Sequence, residues 1–124
     1  KTAVPRTALI VDDSISMRQM VGFTLQEAGF TVLEGANGQE GLDRLNGAKV
    51  DIIITDLNMP VMDGLTFIRG VRARAETRFT PVLMLTTESQ ASKKQEGKAA
   101  GATGWIVKPF NPAQLLEVIA KVLP

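Results

Sequence analysis

The sequence predicts an α/β protein, a doubly wound (βα)₅ fold in which five parallel strands form one sheet with helices on both faces. Two observations lead to this class. Short apolar runs recur along the chain, and a stretch with apolar residues at helical spacing follows each of them. The chain has 124 residues, of which 44% are hydrophobic and 22% charged, which suits a single core. We therefore treat residues 1–124 as one domain.

The strands are predicted from short runs rich in apolar and β-branched residues. Such runs, without a polar alternation, are typical of parallel strands that are buried on both faces. The five predicted strands are 8–11, 30–33, 52–55, 82–85 and 105–107.

The helices are predicted from apolar spacing and from residues that start or stop helices. Gly29 ends the first helix, and Asn37 with Glu40 three residues later forms a capping-box-like start to the second. Leu65, Phe67, Ile68 and Val71 give the third helix an apolar face. The fourth, 89–100, has few large apolar residues, and Pro112 opens the fifth at its first turn.

Composition excludes several classes of function. The net charge of +1 gives no field that favours nucleic acid. The chain has no cysteine and no histidine, which excludes thiolate metal sites and the common nucleophile–histidine arrangements. It also has no apolar run long enough to span a bilayer and no signal-peptide pattern. We expect a cytoplasmic monomer without membrane insertion or direct nucleic-acid binding.

Four of the five predicted strands end in polar residues. These are Asp12 and Asp13, Asp56, Thr86 and Thr87, and Lys108. Because the carboxyl ends of parallel strands lie along one edge of the sheet, we expect these side chains to converge. Any one of them alone is more often a turn or cap residue. The whole set on one edge is much less expected by chance.

Three carboxylates at one edge repel each other, by about 4 kcal/mol per pair at 4 Å and an effective dielectric constant near 20. Either their pKa values rise or a cation binds between them. Oxygen ligands without histidine or cysteine favour a hard ion, Mg²⁺ before Mn²⁺ or Ca²⁺. A carboxylate beside bound Mg²⁺ can attack phosphorus, with Lys108 and Thr86 holding the other phosphoryl oxygens.

Along residues 7–123 the sequence resembles the receiver domains of two-component signalling, and best the stand-alone chemotaxis response regulators. Four motifs in order carry the resemblance: Val11-Asp12-Asp13-Ser14, the stretch DLNMPVMDG at 56–64, Thr86, and Lys108-Pro109-Phe110. It implies a flavodoxin-like strand order of 2-1-3-4-5. It also implies a switch that takes a phosphoryl group from a histidine kinase and changes binding to a downstream target, with the flagellar motor switch as a candidate.

The resemblance implies a role for each motif residue. Asp56 would be the phosphoacceptor, and Thr86 and Lys108 would contact the phosphoryl group. Mg²⁺ would be held by Asp13, Asp56 and the backbone carbonyl of Asn58, with Asp12 acting through water. Asn58 and Glu88 stand where the family sets the rate of dephosphorylation, and the Lys108–Pro109 bond would be cis. Asp63 and Gly64 look like a turn and a helix start rather than ligands.

The chain departs from the family at Trp105, where the aromatic switch residue is usually Tyr or Phe. A larger ring puts the usual coupling between Thr86 and this position in doubt, and an exposed interface residue is the other interpretation. The expected output face comprises 89–100, 104–107 and 112–123. Its basic strip, Lys93, Lys94 and Lys98, suits an acidic partner.

Three alternatives to a stand-alone switch remain at this point. An aspartyl-phosphate phosphatase or phosphotransferase generally needs a second acid two residues after the nucleophile, where this chain has Asn58. A flavin or nucleotide binder needs a phosphate-binding loop after the first strand, where Asp12 and Asp13 would repel the phosphate. The chain is also compatible with a receiver domain cut from a larger regulator.

Overall fold

The computed structural model describes residues 6–87 and 92–123. Within them, five strands form one parallel sheet in the order β2-β1-β3-β4-β5, which confirms the predicted fold class and strand order. The strands are β1 (Thr7–Val11), β2 (Thr31–Gly35), β3 (Ile52–Asp56), β4 (Val82–Thr87) and β5 (Gly104–Lys108). The helices are α1 (Ile15–Glu27), α2 (Gly38–Arg44), α3 (Gly64–Ala73), α4 (Lys93–Ala100) and α5 (Pro112–Val122), with a 3₁₀ turn at Ala75–Thr77.

The sheet separates two apolar clusters because successive strand residues point to opposite faces. On one face, Leu9, Ile53 and Met84 pack with α2, α3 and α4. On the other, Ile10 and Ile54 pack with α1 and α5. Every residue of β3 is buried, as its apolar run predicts for the central strand of a doubly wound sheet.

The main correction to the predicted boundaries concerns β2, which was expected at 30–33 and lies at Thr31–Gly35. Phe30 lies in the turn that closes α1, because its N–H donates to the carbonyl of Leu25. The strand then continues until Gly35 pairs with Val11, the last residue of β1. The predicted start of the fourth helix, Ser89, lies outside the described residues.

Helix ends follow their capping residues. Gly29, at φ 96°, comes just after the end of α1, as predicted. The side chain of Asn37 accepts a hydrogen bond from the N–H of Glu40. The Glu40 carboxylate in turn accepts from the N–H of Ala36, whereas a capping box would use the N–H of Asn37. No helix within the described residues is long and apolar enough to cross a membrane.

Candidate functional site

The carboxyl edge of the sheet brings together the side chains that the sequence placed there. Asp12 and Asp13 follow β1, and Asp56 is the last residue of β3. One carboxylate oxygen from each lies within 4.8 Å of the others, which confirms that the three acids meet. Asp12 and Asp56 are buried, whereas Asp13 is exposed, so the group opens to solvent on one side. These residues could hold a metal ion.

Asp12 is the most deeply buried acid of the group, with no exposed surface. Its Oδ1 accepts a hydrogen bond of 2.9 Å from the N–H of Ser14, and its Oδ2 has no hydrogen-bond partner among the described residues. Burial raises the pKa of Asp12, and the charges of Asp56 and Asp13 add to the rise, while the Ser14 N–H and Lys108 oppose it. A cation beside Oδ2 would remove this penalty on the charged form.

Asp56 combines burial with access, since 11% of its side chain is exposed. Its Oδ1 accepts from the N–H of Leu57 at 2.9 Å and from Lys108 Nζ at 3.1 Å. Within the described part of the chain, both hydrogen bonds to the Asp56 carboxylate go to Oδ1. Oδ2 is therefore the oxygen that could bind a ligand or react. Lys108 Nζ also lies 3.9 Å from Asp12 Oδ2, so one ammonium group forms ion pairs with two of the three acids.

Thr86 is fully buried, and its Oγ1 has no hydrogen-bond partner within residues 6–87 and 92–123. It stands one position beyond Leu85, which pairs with Asp56, and it pairs across the sheet with Val107 next to Lys108. A buried hydroxyl without a hydrogen-bond partner lowers stability by about 1–3 kcal/mol. An anion that accepts a hydrogen bond from this hydroxyl would therefore be stabilised here.

The loop from β3 to α3 packs tightly against the site. Gly64 approaches the backbone of Asp56 so closely that a Cβ there would collide with its carbonyl, and the Gly64 N–H donates to Leu57 O at 2.8 Å. Asp63 caps α3 by accepting from Thr66 N–H at 2.8 Å, a bond that lowers its pKa. This confirms that Asp63 and Gly64 serve as a turn and a helix start.

The same loop holds a conformation that the sequence did not reveal. Val61 has φ 69° and 83% exposure, and Met62 N–H donates to Pro60 O at 2.7 Å across it, which makes a γ-turn. A β-branched residue is strained in this region, so residue type pointed away from the observed backbone.

The remaining predicted residues are placed as follows. The Lys108–Pro109 bond is cis, as the resemblance implied. Asn58 is exposed two residues after Asp56, and the ligand role of its carbonyl stays a prediction. Glu88 lies outside the described residues. Trp105 stands on β5 with 37% exposure, at the border between half-buried and exposed, and both of its interpretations stay open.

Two contacts near the site were missed from the sequence. Arg18 of α1 donates through Nη1 to the backbone carbonyl of Asp12 at 2.6 Å. Lys94 of α4 places its Nζ 5.4 Å from the centroid of the Trp105 ring, a cation–π distance. The basic strip was visible in the sequence, but the stacking of one of its lysines on Trp105 was not.

Comparison with known proteins agrees with this arrangement. The family model of the response regulator receiver domain matches residues 8–120. The chain is 39% identical over 115 residues to the chemotaxis protein CheY of Pseudomonas aeruginosa, covering 92% of this chain and 93% of that protein. The solved structure of the chemotaxis response regulator CheY4 of Vibrio cholerae is 55% identical with a TM-score of 0.92, covering 97% of this chain and 100% of that one. CheY-3 of Vibrio cholerae is 39% identical over 92% of this chain and 88% of its own length.

Proposed function

The chain belongs to the response regulator receiver domain family, and we propose that it is a phosphorylation-controlled signalling switch whose phosphoacceptor is Asp56. One observation carries the assignment. The Asp56 carboxylate reaches solvent, lies beside two further acids, and has its Oδ1 bonded to Lys108, while its Oδ2 accepts no hydrogen bond from the described residues.

The donor set fits a divalent cation, and we assign Mg²⁺. The fit rests on three carboxylate oxygens within 4.8 Å, on the Oδ2 of Asp12, which has no hydrogen bond among the described residues, and on the raised pKa of that acid. Asp13, Asp56 and the Asn58 carbonyl would hold the ion, with Asp12 acting through water. When bound, Mg²⁺ neutralises negative charge on the oxygens of the transferring phosphoryl group.

The donor must be another protein or a small molecule, because the chain has no histidine. We propose that Asp56 Oδ2 attacks the phosphorus of a phosphohistidine on a histidine kinase. The new O–P bond forms as the P–N bond breaks, and the leaving imidazole nitrogen takes a proton from solvent. Lys108 and the Thr86 hydroxyl donate to phosphoryl oxygens, which supplies a partner to a buried Oγ1 that has none among the described residues.

The output face is proposed to comprise α4, β5 and α5. Thr86 lies in β4 next to β5, so a hydroxyl drawn toward the phosphoryl group changes the packing beside β5 and α4. Because relatives are named as chemotaxis proteins, we propose that the downstream target acts in chemotaxis. A flagellar motor switch protein is the first target to test.

The test is intact-mass measurement after incubation with Mg²⁺ and a small acyl phosphate. The wild-type chain should gain the mass of one phosphoryl group, and Asp56→Asn should gain none. Asp63→Asn is the matched control, because Asp63 lies in the same loop but caps α3, and it should be labelled like the wild type. Labelling of Asp56→Asn at the wild-type level would refute the assignment.

A further inference from the structure

We propose that Arg18 is a positioning residue, which fixes the aspartate-bearing loop at 12–14 and so sets the affinity of the site for Mg²⁺ without contacting the ion. The inference rests on the proposed function. Arg18 is one turn into α1 and belongs to none of the four motifs that identify the site.

The contact is made to backbone at the point where two acids join. Arg18 Nη1 donates to the carbonyl oxygen of Asp12 at 2.6 Å, which is short even for a bond from a charged donor. This carbonyl belongs to the peptide that links Asp12 to Asp13. Asp12 lies one residue beyond the last pair of β1 with β2, and its N–H donates to Gly35 O at 3.1 Å. The sheet therefore fixes one side of Asp12, and Arg18 fixes the other.

The guanidinium is itself held in place. Its Nε lies 3.2 Å from Glu34 Oε1 on β2, and 16% of the Arg18 side chain is exposed against 48% for Glu34. A planar guanidinium can bond a carboxylate and a carbonyl at once with fixed geometry, which a lysine ammonium cannot reproduce. Arg18 thus connects α1, the acidic loop and β2 in one bonded chain.

The position of the charge also matters. Arg18 bonds the backbone and Glu34, and no contact with a carboxylate of Asp12, Asp13 or Asp56 occurs among the described residues. Among the described residues, Arg18 therefore does not occupy the carboxylate oxygens that would hold a cation. Lys108, by contrast, contacts Asp56 and Asp12 directly. The two cations thus have different contacts: Lys108 bonds the Asp56 carboxylate, and Arg18 bonds the backbone of the acidic loop.

The test is calorimetric titration of the whole chain with Mg²⁺. Arg18→Met keeps an unbranched apolar stem and removes both bonds, and the dissociation constant for Mg²⁺ should rise about tenfold, the lower end of the effect of residues that orient metal ligands. Glu34→Gln keeps the bond from Arg18 to Asp12, and the dissociation constant for Mg²⁺ should rise about twofold. Arg44→Met is the matched control, since Arg44 bonds the backbone carbonyl of the same Glu34 without reaching the acidic loop, and its affinity should be unchanged.

Two further measurements separate positioning from general stability. Without Mg²⁺, amide hydrogen exchange at Asp13 and Ser14 should be faster in Arg18→Met than in Arg44→Met. Phosphorylation by a small acyl phosphate should reach the wild-type maximal rate at saturating Mg²⁺, with the half-saturating concentration raised as much as the dissociation constant. If Arg18→Met does not fold, Arg18→Lys and Glu34→Gln carry the same comparison, each with a smaller loss of affinity.

Unchanged Mg²⁺ affinity in folded Arg18→Met, or a lowered maximal rate with unchanged affinity, would overturn the positioning role. Failure of the wild-type chain to bind Mg²⁺ or to be labelled at Asp56 would instead overturn the proposed function. That failure is seen before any variant is compared, so the two results are distinguishable.

Discussion

Helices α3 and α4 are neighbours on the same face of the sheet, yet they are anchored very differently. α3 buries four large side chains, Leu65, Phe67, Ile68 and Val71, and its first turn is capped by Asp63. The buried residues of α4 are Gly97 and Ala100, and Ser92 makes no side-chain cap bond within the described residues. At about 25 cal/mol per Å² of apolar surface, α4 gains far less from its contact with the sheet.

The difference matches the positions of the two helices in the proposed switch. α3 follows the strand that carries Asp56, and its loop packs on the backbone of that residue. α4 follows the strand that carries Thr86. Elements that move in regulation come from the least stable parts of a fold, because shifting them costs little free energy. A firmly packed helix therefore lies beside the proposed phosphoacceptor, and a lightly packed helix follows Thr86, where the proposed switch would need movement.

The largest expected effect is at the α3 contact. Phe67→Ala should lower the free energy of unfolding by about 3–5 kcal/mol, because the ring is fully buried and leaves a cavity. The corresponding change in α4, Ala100→Gly, should cost about 1 kcal/mol, mostly through helix propensity. Urea unfolding of both variants measures the difference. Equal losses would show that α4 is anchored as firmly as α3.

The second effect is at the residue that joins the two regions. Arg72 of α3 donates to the carbonyls of Thr77, Thr80 and, in the loop after α4, Gly101, at 2.6–3.0 Å. Burial lowers its pKa. Arg72→Met should cost about 2–3 kcal/mol, since several carbonyls lose a charged donor at once.

The local signature of this change is faster amide exchange at 101–103. Arg74→Met is the control, because the Arg74 guanidinium bonds the exposed side chain of Asn46 and its loss should cost under about 0.5 kcal/mol. Equal losses in the two variants would remove Arg72 as the link between α3 and the α4–β5 loop.

The sequence predicted the strands and the acidic site because both depend on residue type. A run such as Ile52–Ile53–Ile54 is typical of the middle of a parallel sheet, and acids that follow such runs are expected to meet at the edge of the sheet. Binding of Mg²⁺ and phosphorylation of Asp56 stay predictions, since both depend on groups beyond the chain.

The missed features depend on geometry that residue type does not encode. Arg18 and Arg72 donate mainly to backbone carbonyls, which every residue possesses, so no sequence pattern marks their partners. Val61 occupies a positive φ that its own propensity disfavours. The predicted start of β2 is one residue too early, because Phe30 packs against the apolar cluster beside the end of α1. In the sequence, its apolar run looks like the start of a strand.

A third, smaller effect should come from the closest approach of α4 to the sheet. A Cβ at Gly97 would collide with the Cε of Met84 and lie 2.7 Å from its Sδ. Gly97→Ala should therefore cost about 1–2 kcal/mol. In a Met84→Ala background the collision is gone, and the same change should stabilise by up to about 1 kcal/mol through helix propensity. An equal cost in both backgrounds would show that the collision with Met84 is not its source.

The smallest effect on stability should come from the contact of α4 with β5, where Lys94 lies over the ring of Trp105. Lys94→Met should cost about 0.5–1 kcal/mol, the usual worth of an exposed cation–π contact. Trp105 is the one tryptophan of the chain, so its fluorescence reports this contact directly. The variant should expose the ring more to a soluble quencher and speed amide exchange across 93–100. Lys98→Met, in the same basic strip, should change neither.

The same pair also tests whether the light anchoring of α4 matters for switching. If the contact holds α4 in its unphosphorylated position, its loss shifts the balance toward the active position by the free energy of the contact. About 0.5–1 kcal/mol is a two- to fivefold change in the population ratio. Amide shifts of Lys94→Met in 92–110 should therefore move part of the way toward those that a phosphoryl mimic induces in the wild type, whereas those of Lys98→Met should not. Shifts confined to the loops around Asp12, Asp13 and Asp56 in the wild type with the mimic would separate α4 from the response altogether.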